Sequence, residues 1–300
     1  MEEGKNYKDY EDAGRVTFEA LQYSKTLIKP GARLLDIAEG IEKFIKDKGM
    51  LPAFPVNISV NERAAHYTPS TDEETVLTAQ DVVKIDVGAR KGDALGDCAL
   101  SIDLSGKHAK IVETAQQALQ DALSIVKAGR QLNEIGRVVE EIAKKNGFKP
   151  IKNLGGHAIE AGELHASIMV PNFDNGDTTK LEEGQVVAIE TFLTDGLGYV
   201  IDSDMLQIFQ KTGSVVTRSE DTRKMASFID ASFSTYPFAL RWLQKEFGSE
   251  FKIRKSISEL LSQSVLEPFP TLVEKGGGVV AQAEAEVIIE KDSCRIITKQ

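Results

Sequence analysis

The sequence has few cysteines and no long apolar run. Cys98 and Cys294 are the only two cysteines in 300 residues, so a disulfide framework is excluded. No segment approaches the roughly 18 consecutive apolar residues of a transmembrane helix. The first residues also lack the basic and apolar regions of a signal peptide. We therefore expect a cytoplasmic protein that makes no membrane contact.

Basic charge is also scarce. Lys and Arg number 36 against 46 Asp and Glu, which gives a net charge of −10. An acidic surface repels the nucleic-acid backbone, so we expect no specific DNA partner. The 41% hydrophobic and 27% charged residues are typical of a globular protein. A chain of 300 residues predicts two domains, or one large domain with an insertion.

Several common catalytic motifs are missing from the sequence. It contains no HExxH zinc motif, no CxxC pair and no GxSxG nucleophile motif. The glycines at 276–278 are not followed by the Lys-Ser/Thr pair of a phosphate-binding loop. The sequence therefore offers none of these familiar catalytic or phosphate-binding motifs.

Two stretches of the chain resemble each other. Residues 29–52 and 127–150 both contain apolar residues at helical spacing, then a glycine, Gly49 or Gly147, and then a proline. Glycine at that point is typical of the end of a helix. The similarity indicates an internal duplication.

A second similarity follows in the same order. Residues 81–86 read DVVKID and residues 185–190 read QVVAIE, so each is a short Val/Ile-rich strand that ends in a carboxylate. Helix, glycine and strand thus repeat together, which predicts a pseudo-two-fold fold. We expect an α/β (α+β) architecture with a central antiparallel sheet backed by helices. Helices are predicted near 8–27, 33–48, 109–127 and 131–146, and strands near 82–90, 96–104, 186–193 and 278–290.

Residues 218–266 have a different character. Helices are predicted at 220–233, 238–247 and 256–265, before an extended segment at 269–273, in an order that resembles a small winged-helix unit. Residues 218–255 carry eight Lys/Arg and five Asp/Glu. We interpret the region as a packing subdomain that covers one edge of the sheet, with nucleic-acid binding as the alternative.

Four carboxylates occupy strand positions that otherwise hold small apolar residues. They are Asp86, Asp97, Glu190 and Glu284. Glycines lie between Asp86 and Asp97, so a hairpin would place these two side by side. Burial and like charge both oppose ionisation of such groups, and a set of four therefore predicts a metal site.

His157 follows two glycines, where the backbone can approach a ligand closely, and it is the fifth candidate ligand. Four carboxylates balance two divalent cations. Oxygen-rich ligands suit Co, Mn, Fe(II) or Zn, without a thiolate. Two ions roughly 3.5–4 Å apart can bridge one water and make it a hydroxide near neutral pH. His66 and His165 are related by nearly the same offset as the duplication, so they can face each other across the pseudo-axis.

Together these residues resemble the type II methionine aminopeptidases of the archaeal kind, in the M24 metallopeptidase or "pita-bread" family. The resemblance covers nearly the whole chain. Its motifs are Ala64–Pro69, Lys84–Gly88, Gly96–Ala99, Asn153–His157, Leu164–Ala166, Ala188–Phe192 and Gln282–Glu284.

The resemblance implies a pita-bread pseudo-two-fold sandwich with a helical, winged-helix-like insertion. It places the catalytic domain at 1–195 and 271–300 and the type II insertion at 196–270. The implied activity is removal of the initiator methionine from nascent polypeptides, by attack of a metal-bridged hydroxide on the first peptide bond. Nascent N-termini that begin with Met are the implied partners, with the ribosome as a further candidate, and we expect a monomer.

Residue roles are also implied by the resemblance. Asp97 and Glu284 would bridge the two metal ions, and His165 would polarise the scissile amide. His66 would orient the peptide and stabilise the tetrahedral intermediate. Phe54 and Leu164 would line the methionine pocket. The five implied metal ligands are Asp86, Asp97, His157, Glu190 and Glu284.

One position departs from the family pattern. The residue after the bridging glutamate is commonly His, and here it is Ala285, which could alter support of the ligands or the pocket wall. Two alternatives remain: a non-catalytic pita-bread binding module, and a prolidase-like dipeptidase. Such modules have lost metal ligands, whereas this chain keeps all five. Prolidases carry a large N-terminal domain and extra site histidines.

Overall fold

The computed structural model describes residues 7–299. Its helices are α1 (Tyr7–Leu27), α2 (Leu34–Asp47), α3 (Ala109–Ile125), α4 (Leu132–Asn146), α5 (Glu220–Phe233), α6 (Leu240–Phe247) and α7 (Glu250–Ser262). Its strands are β1 (Leu51–Pro52), β2 (Asn57–Val60), β3 (Arg63–Ala65), β4 (Val82–Lys91), β5 (Ala94–Asp103), β6 (Lys149–Pro150), β7 (Gly155–Ile159), β8 (Met169–Pro171), β9 (Val186–Thr194), β10 (Val200–Lys211), β11 (Phe238–Ala239), β12 (Leu266–Glu274), β13 (Val280–Ile289) and β14 (Cys294–Ile296).

The first half of the fold is built around β4. This strand pairs with β1 and β2 along one edge and with β5 along the other, all antiparallel. Its Val and Ile side chains are buried together with the apolar faces of α1 and α2. Since α2 carries its apolar residues at helical spacing, one face of it covers the sheet.

The second half repeats this arrangement around β9. That strand pairs with β6 and β7 along one edge and with β13 along the other, again antiparallel. Here α3 and α4 supply the covering apolar faces. Gly147 ends α4 at φ 86°, a left-handed conformation in which glycine has no Cβ penalty.

The internal repeat of the sequence is therefore a structural repeat. In each half a helix ends in glycine and leads into a two-residue strand, which pairs near the end of the long strand: Pro52 with Ala89, and Pro150 with Leu193. The predicted antiparallel sheets backed by helices and the predicted pseudo-two-fold fold are confirmed.

A third sheet lies beside these halves, in the order β11-β10-β12-β3. Its long strand β10 was not predicted from the sequence. Several of its residues are only partly buried, and bulges interrupt its register with β12, so the expected alternation of apolar residues is weak. The region 196–270 is thus not purely helical, and its division from the rest of the chain stays a prediction.

Two helix predictions in this region were wrong at their starts. The helix predicted to start at 238 begins at Leu240, because Phe238–Ala239 pair with β10. The helix predicted at 256–265 spans Glu250–Ser262 instead. Ser249 caps its start by accepting the Lys252 N–H, which extends the helix towards the N-terminus. Among residues 7–299, no helix combines the length and apolar character that crossing a membrane requires.

Candidate metal centre

Asp86 and Asp97 are brought together by the β4–β5 hairpin. Asp86 lies opposite Ala99, and Asp97 lies opposite Gly88. Ala99 and Asp97 are two residues apart and share one face of β5, so the two carboxylates are diagonal neighbours on that face. The predicted hairpin is therefore present.

The second half supplies the other candidate ligands. Glu190 on β9 and Glu284 on β13 are direct register partners. His157 on β7 pairs with Ala188, two residues before Glu190 on the same strand. Each half thus contributes carboxylates from its central pair of strands, as the duplication of the sequence predicted.

The five side chains form one cluster, in which Asp97, His157 and Glu284 are buried and Asp86 and Glu190 are partly buried. The Nε2 atom of His157 lies 3.5 Å from Oδ2 of Asp97 and 3.3 Å from Oε1 of Glu190. Ligand-type atoms of Asp97, His157 and Glu284 all lie within 4.8 Å of one another. Asp86 contacts Asp97 by a side-chain hydrogen bond.

Ionisation of the carboxyl groups in this cluster is opposed by burial and by their neighbours. Burial, and then the neighbouring carboxylates, raise the pKa of Asp86, Glu190 and Glu284 well above the usual range. Burial also raises the pKa of Asp97 to about 7. A cation among these groups would favour their charged forms, so the cluster has the electrostatics of a cation site.

The donor set fits hard divalent ions. Oδ1 of Asp86 and Oε1 of Glu284 are buried and have no hydrogen-bond partner within the described part of the chain. Burial lowers the pKa of His157 to about 4, so its ring is neutral at pH 7. Its Nδ1 lies 3.2 Å from the carbonyl oxygen of Ala158. A carbonyl only accepts, so the proton sits on Nδ1 and the Nε2 lone pair is left for a metal.

Gln282 supports the cluster from the same strand as Glu284. Its side-chain amide donates to Oε2 of Glu190 and to Oε2 of Glu284, both at 3.4 Å. Its backbone N–H donates to Oγ of Ser101 at 2.7 Å, and that hydroxyl donates back to the Gln282 carbonyl. Gln282 thereby ties two candidate ligands to the neighbouring strand β5.

A cavity of about 400 Å³ opens onto the cluster. Eight of the nine predicted site residues line it, and the ninth, Glu284, is buried behind them at 5% exposure. The eight lining residues are Phe54, His66, Asp86, Asp97, His157, Leu164, His165 and Glu190.

His66 and His165 lie beside the cluster without being part of it. The two rings pack against Phe269, at centroid distances of 5.5 Å and 6.0 Å, and the ring of His165 is 4.5 Å from that of His157. Burial lowers the pKa of His66 to about 4 and that of His165 to about 3. Both rings are therefore neutral at pH 7.

The apolar wall of the cavity includes residues that sequence reasoning missed. Ile208 on β10 and Phe269 on β12 are register partners and both line the cavity, with Phe192 beside them. Both strands belong to the third sheet, of which β10 was not predicted and β12 was predicted only as an extended segment at 269–273. The only sequence signal for Phe269 is its place between two prolines in a predicted extended segment.

Ala285 lies away from the metal cluster. It pairs with Ile189, and alternation along β13 turns it to the face opposite Glu284. It is 8% exposed. A histidine at position 285, the residue type common in the resembled family, would thus lie on the opposite face of the strand from the carboxylates.

Comparisons with known proteins agree with this geometry. Residues 8–222 match metallopeptidase family M24. A methionine aminopeptidase of Thermococcus onnurineus is 39% identical over 287 residues, which cover 95% of this chain and 97% of that protein. A methionine aminopeptidase of Methanothermobacter thermautotrophicus is 35% identical, with 98% of this chain and 99% of that protein covered.

Solved structures share the fold. A thermophilic Arx1 superposes with a TM-score of 0.84 at 18% identity, over 97% of this chain and 90% of that one. Methionine aminopeptidase from Thermotoga maritima superposes with a TM-score of 0.72 at 21% identity, over the whole of both chains. With the sequence matches at 34–39% identity, the chain belongs to metallopeptidase family M24, and within it to the methionine aminopeptidases.

Proposed function

We propose that this chain removes the N-terminal methionine from polypeptides, using two divalent metal ions. The observation that carries the proposal is the convergence of four carboxylates and a neutral imidazole at one cavity, with two further neutral histidines beside them. Burial and mutual proximity oppose ionisation of these carboxyl groups, and bound cations would favour their charged, metal-binding forms.

Asp86, Asp97, His157, Glu190 and Glu284 would hold the metal ions, with Asp97 and Glu284 shared between them. Co, Mn, Fe(II) and Zn all fit these oxygen-rich ligands. When bound, such a pair lowers the pKa of water and polarises a carbonyl oxygen. The chain's own contribution is to hold the carboxylates close together in a buried site, where their charges act strongly.

His165 is proposed to polarise the scissile amide. Its neutral ring carries one N–H, which can donate to a carbonyl oxygen and stabilise the charge that develops there. Because burial lowers the pKa of His165 to about 3, the ring keeps this form throughout the neutral range. It therefore acts as a donor without a change in protonation.

His66 is proposed to orient the peptide. A backbone hydrogen bond joins its ring to Pro270, and Nδ1 of the same ring is buried without a partner in the described residues. The Pro270 carbonyl can only accept, so it takes the single proton of the neutral ring. Nδ1 is left as an acceptor that suits an amide N–H of the substrate.

Phe54 and Leu164 would line the pocket for the methionine side chain, together with the apolar wall that includes Ile208 and Phe269. An apolar pocket holds a flexible thioether well but rejects isosteres weakly, since one methylene is worth about 1–3 kcal/mol. Norleucine should therefore be cleaved, whereas N-terminal Lys or Glu should not. Crowding by His66 and the metal ligands favours Gly, Ala or Ser as the second residue.

The proposal extends to partners and location. Nascent N-termini that begin with Met would be the partners, with the ribosome as a further candidate, and the protein would act as a cytoplasmic monomer. Residues 196–270 would form the insertion on the catalytic domain 1–195 and 271–300. That insertion contributes Ile208, Pro237 and Phe269 to the cavity, so it shapes the substrate site as well as covering the sheet.

A substrate panel tests the proposal against its alternatives. We expect the metal-loaded protein to release Met from Met-Ala-Ser, to cleave Met-Arg-Ser much more slowly, and to leave N-acetyl-Met-Ala-Ser intact. Release of the first residue from an Xaa-Pro dipeptide instead would identify a prolidase-like enzyme. Peptide binding without any cleavage would identify a binding module.

The His165→Ala variant tests the assigned role of that residue. We expect metal content close to that of the wild type and a kcat lowered by about 10²-fold, because an electrophilic donor is lost. Metal content is measured by emission spectroscopy and kcat by release of Met. Loss of both metal ions from this variant would make His165 a ligand and refute its role.

A further inference from the structure

Glu286 is a buried acid outside the predicted ligand set. It lies two residues after Glu284 on β13, and therefore on the same face of that strand. Its exposed fraction is 0%. One carboxyl oxygen, Oε2, accepts the backbone N–H of Asp97 at 2.9 Å, across the boundary between the two halves of the fold.

That N–H lies on the edge of a sheet. Within residues 7–299, β5 pairs in its own sheet with β4 alone, and it packs against β13 of the second sheet. A buried N–H on such an edge needs an acceptor, since an unpaired one costs free energy comparable to a lost hydrogen bond. At Asp97 the acceptor is the side chain of Glu286.

The boundary between β5 and β13 is closed by side chains. Besides the contact of Glu286 with Asp97, the hydroxyl of Ser101 exchanges two hydrogen bonds with the backbone of Gln282. The two contacts are four residues apart on each strand, in antiparallel sense. Glu284 lies between them on β13, so both strands are fixed on either side of the candidate metal ligands.

The backbone of Glu286 is itself held in place. Its N–H donates to Oγ1 of Thr298 at 2.9 Å, and its carbonyl accepts the N–H of Ile297 at 3.0 Å. The chain near its C-terminus thus clamps β13 at this position. Because the backbone of Glu286 is held in place, its short side chain also restricts the position of the Asp97 main chain to which it is hydrogen-bonded.

We propose that Glu286 is a positioning residue for the metal centre: by accepting the Asp97 N–H, it sets the backbone of Asp97 relative to Glu284. The inference rests on the proposed metal site and deepens it. Asp97 and Glu284 come from different halves of the fold, so their separation depends on the boundary that Glu286 spans. Groups that orient metal ligands in this way typically change metal affinity by roughly 10- to 100-fold when lost.

The test is a titration of chelator-stripped protein with Co²⁺. Calorimetry measures the affinity, and the visible absorption of bound Co²⁺ reports the ligand arrangement. E286Q keeps an acceptor oxygen and removes the ionisable carboxyl group, and E286L removes both at similar volume. We expect E286Q to match the wild type in affinity and spectrum. We expect E286L to bind Co²⁺ roughly 10- to 100-fold more weakly, with a changed spectrum.

E274Q is the matched control, because it disturbs another buried glutamate that accepts backbone N–H groups, at residues other than the candidate metal ligands and without freeing the Asp97 N–H. It should keep wild-type affinity within about threefold. If E286L does not fold, E286D replaces it, since a side chain one methylene shorter withdraws the acceptor and should weaken binding in the same direction.

Three results would overturn the inference: wild-type affinity and spectrum in E286L or E286D, an equal loss in E286Q, or an equal loss in E274Q. An equal loss in E286Q would assign the effect to the ionisable carboxyl group and not to the acceptor oxygen, and an equal loss in E274Q would assign it to general loosening. Failure of the wild type to bind Co²⁺ would instead overturn the proposed metal site, so the two failures are distinguishable.

Discussion

Arg241 of α6 forms an ion pair with Glu42 of α2, and both side chains are almost completely buried, at 1% and 4% exposure. Glu42 also accepts the indole N–H of Trp242 at 2.9 Å. Arg241 donates to the carbonyl of Pro69 at 3.3 Å and to the hydroxyl of Thr68. The pair therefore joins the helical region to α2 and to the loop that follows His66.

Removal of one partner should be strongly destabilising. We expect Arg241→Met to lower the free energy of unfolding by about 3–5 kcal/mol, because Glu42 would be left as an uncompensated buried charge. Urea denaturation measures this. The double variant Glu42→Leu/Arg241→Met should recover most of the loss, since neither charge then remains.

Lys245 on the same helix provides the control. It pairs with Glu39 at 2.8 Å, but both side chains are exposed, at 58% and 38%. Lys245→Met should change stability by less than about 1 kcal/mol. Equal effects of Lys245→Met and Arg241→Met would contradict the distinction between the two pairs.

Glu274 holds two loops together. Its Oε1 accepts the N–H groups of Leu197 and Gly198, and its Oε2 accepts those of Gly276 and Gly278. Glu274→Gln should destabilise the protein by about 2–3 kcal/mol, because an amide nitrogen would face backbone donors. Hydrogen exchange at 196–198 and 276–278 should accelerate.

The same residue gives a pH dependence. Although burial opposes ionisation, the four N–H groups hold the pKa of Glu274 below its usual value. The stability that it contributes is present above about pH 4.5 and is lost as pH falls through its lowered pKa. Glu267→Gln, at an exposed position of the same strand, should change neither stability nor its acid dependence. If Glu274→Gln leaves amide hydrogen exchange at 196–198 and 276–278 unchanged, Glu274 does not hold the two loops together.

The metal-free protein should show the opposite pH dependence at its ligand cluster. Burial raises the pKa of Asp97 to about 7, so its contribution to stability is complete below about pH 4 and is lost as pH rises through 7. In chelator-stripped protein, the free energy of unfolding of Asp97→Asn, measured relative to that of the wild type, should therefore increase by about 1.4 kcal/mol for each pH unit between 4 and 7. Urea titrations at pH 5 and pH 7.5 measure the difference. If the difference in free energy of unfolding between the two proteins does not change with pH, the pKa of Asp97 is not raised in the folded protein.

Gly88 packs against the ring of Phe54, which lines the proposed methionine pocket. A Cβ added there would lie 2.3 Å from Cε1 of Phe54, so the ring must move. Gly88→Ala should lower kcat/KM for Met-Ala-Ser by about tenfold or more, since the displaced Phe54 ring would take up pocket space and one methylene of misfit in an apolar pocket is worth about 1–3 kcal/mol. Peptides that begin with Ala should lose less. Equal losses of kcat/KM for both peptides would show that Gly88 does not contribute to specificity for methionine. Co²⁺ binding by the variant checks that its metal site is intact.

Local pattern was enough to predict much of this structure. The helices near 33–48 and 131–146 carry clear apolar periodicity and end in glycine, so α2 and α4 lie within two residues of their predicted bounds. Asp86 and Glu190 were predicted as ligands because a carboxylate directly after a Val/Ile run is unusual, although the strands continue beyond both residues. The internal repeat then related the two halves before any contact was known.

Features that depend on distant contacts could not be predicted. Strand β10 is only partly buried and is interrupted by bulges, so it lacks the alternation that marks a strand. Glu286 and Glu274 resemble ordinary strand glutamates in the sequence, and their partners lie 189 residues away for Glu286 and 77 for one bond of Glu274. Only the fold shows that they are buried and hydrogen-bonded.

The most direct test of the account is the metal dependence of Met release from Met-Ala-Ser. Protein stripped with a chelator should lose activity and regain it when Co²⁺ or Mn²⁺ is added, and Asp97→Ala should stay inactive under both conditions. A full rate in the stripped protein, or a wild-type rate in Asp97→Ala, would contradict the proposal that these buried carboxylates form the catalytic metal centre.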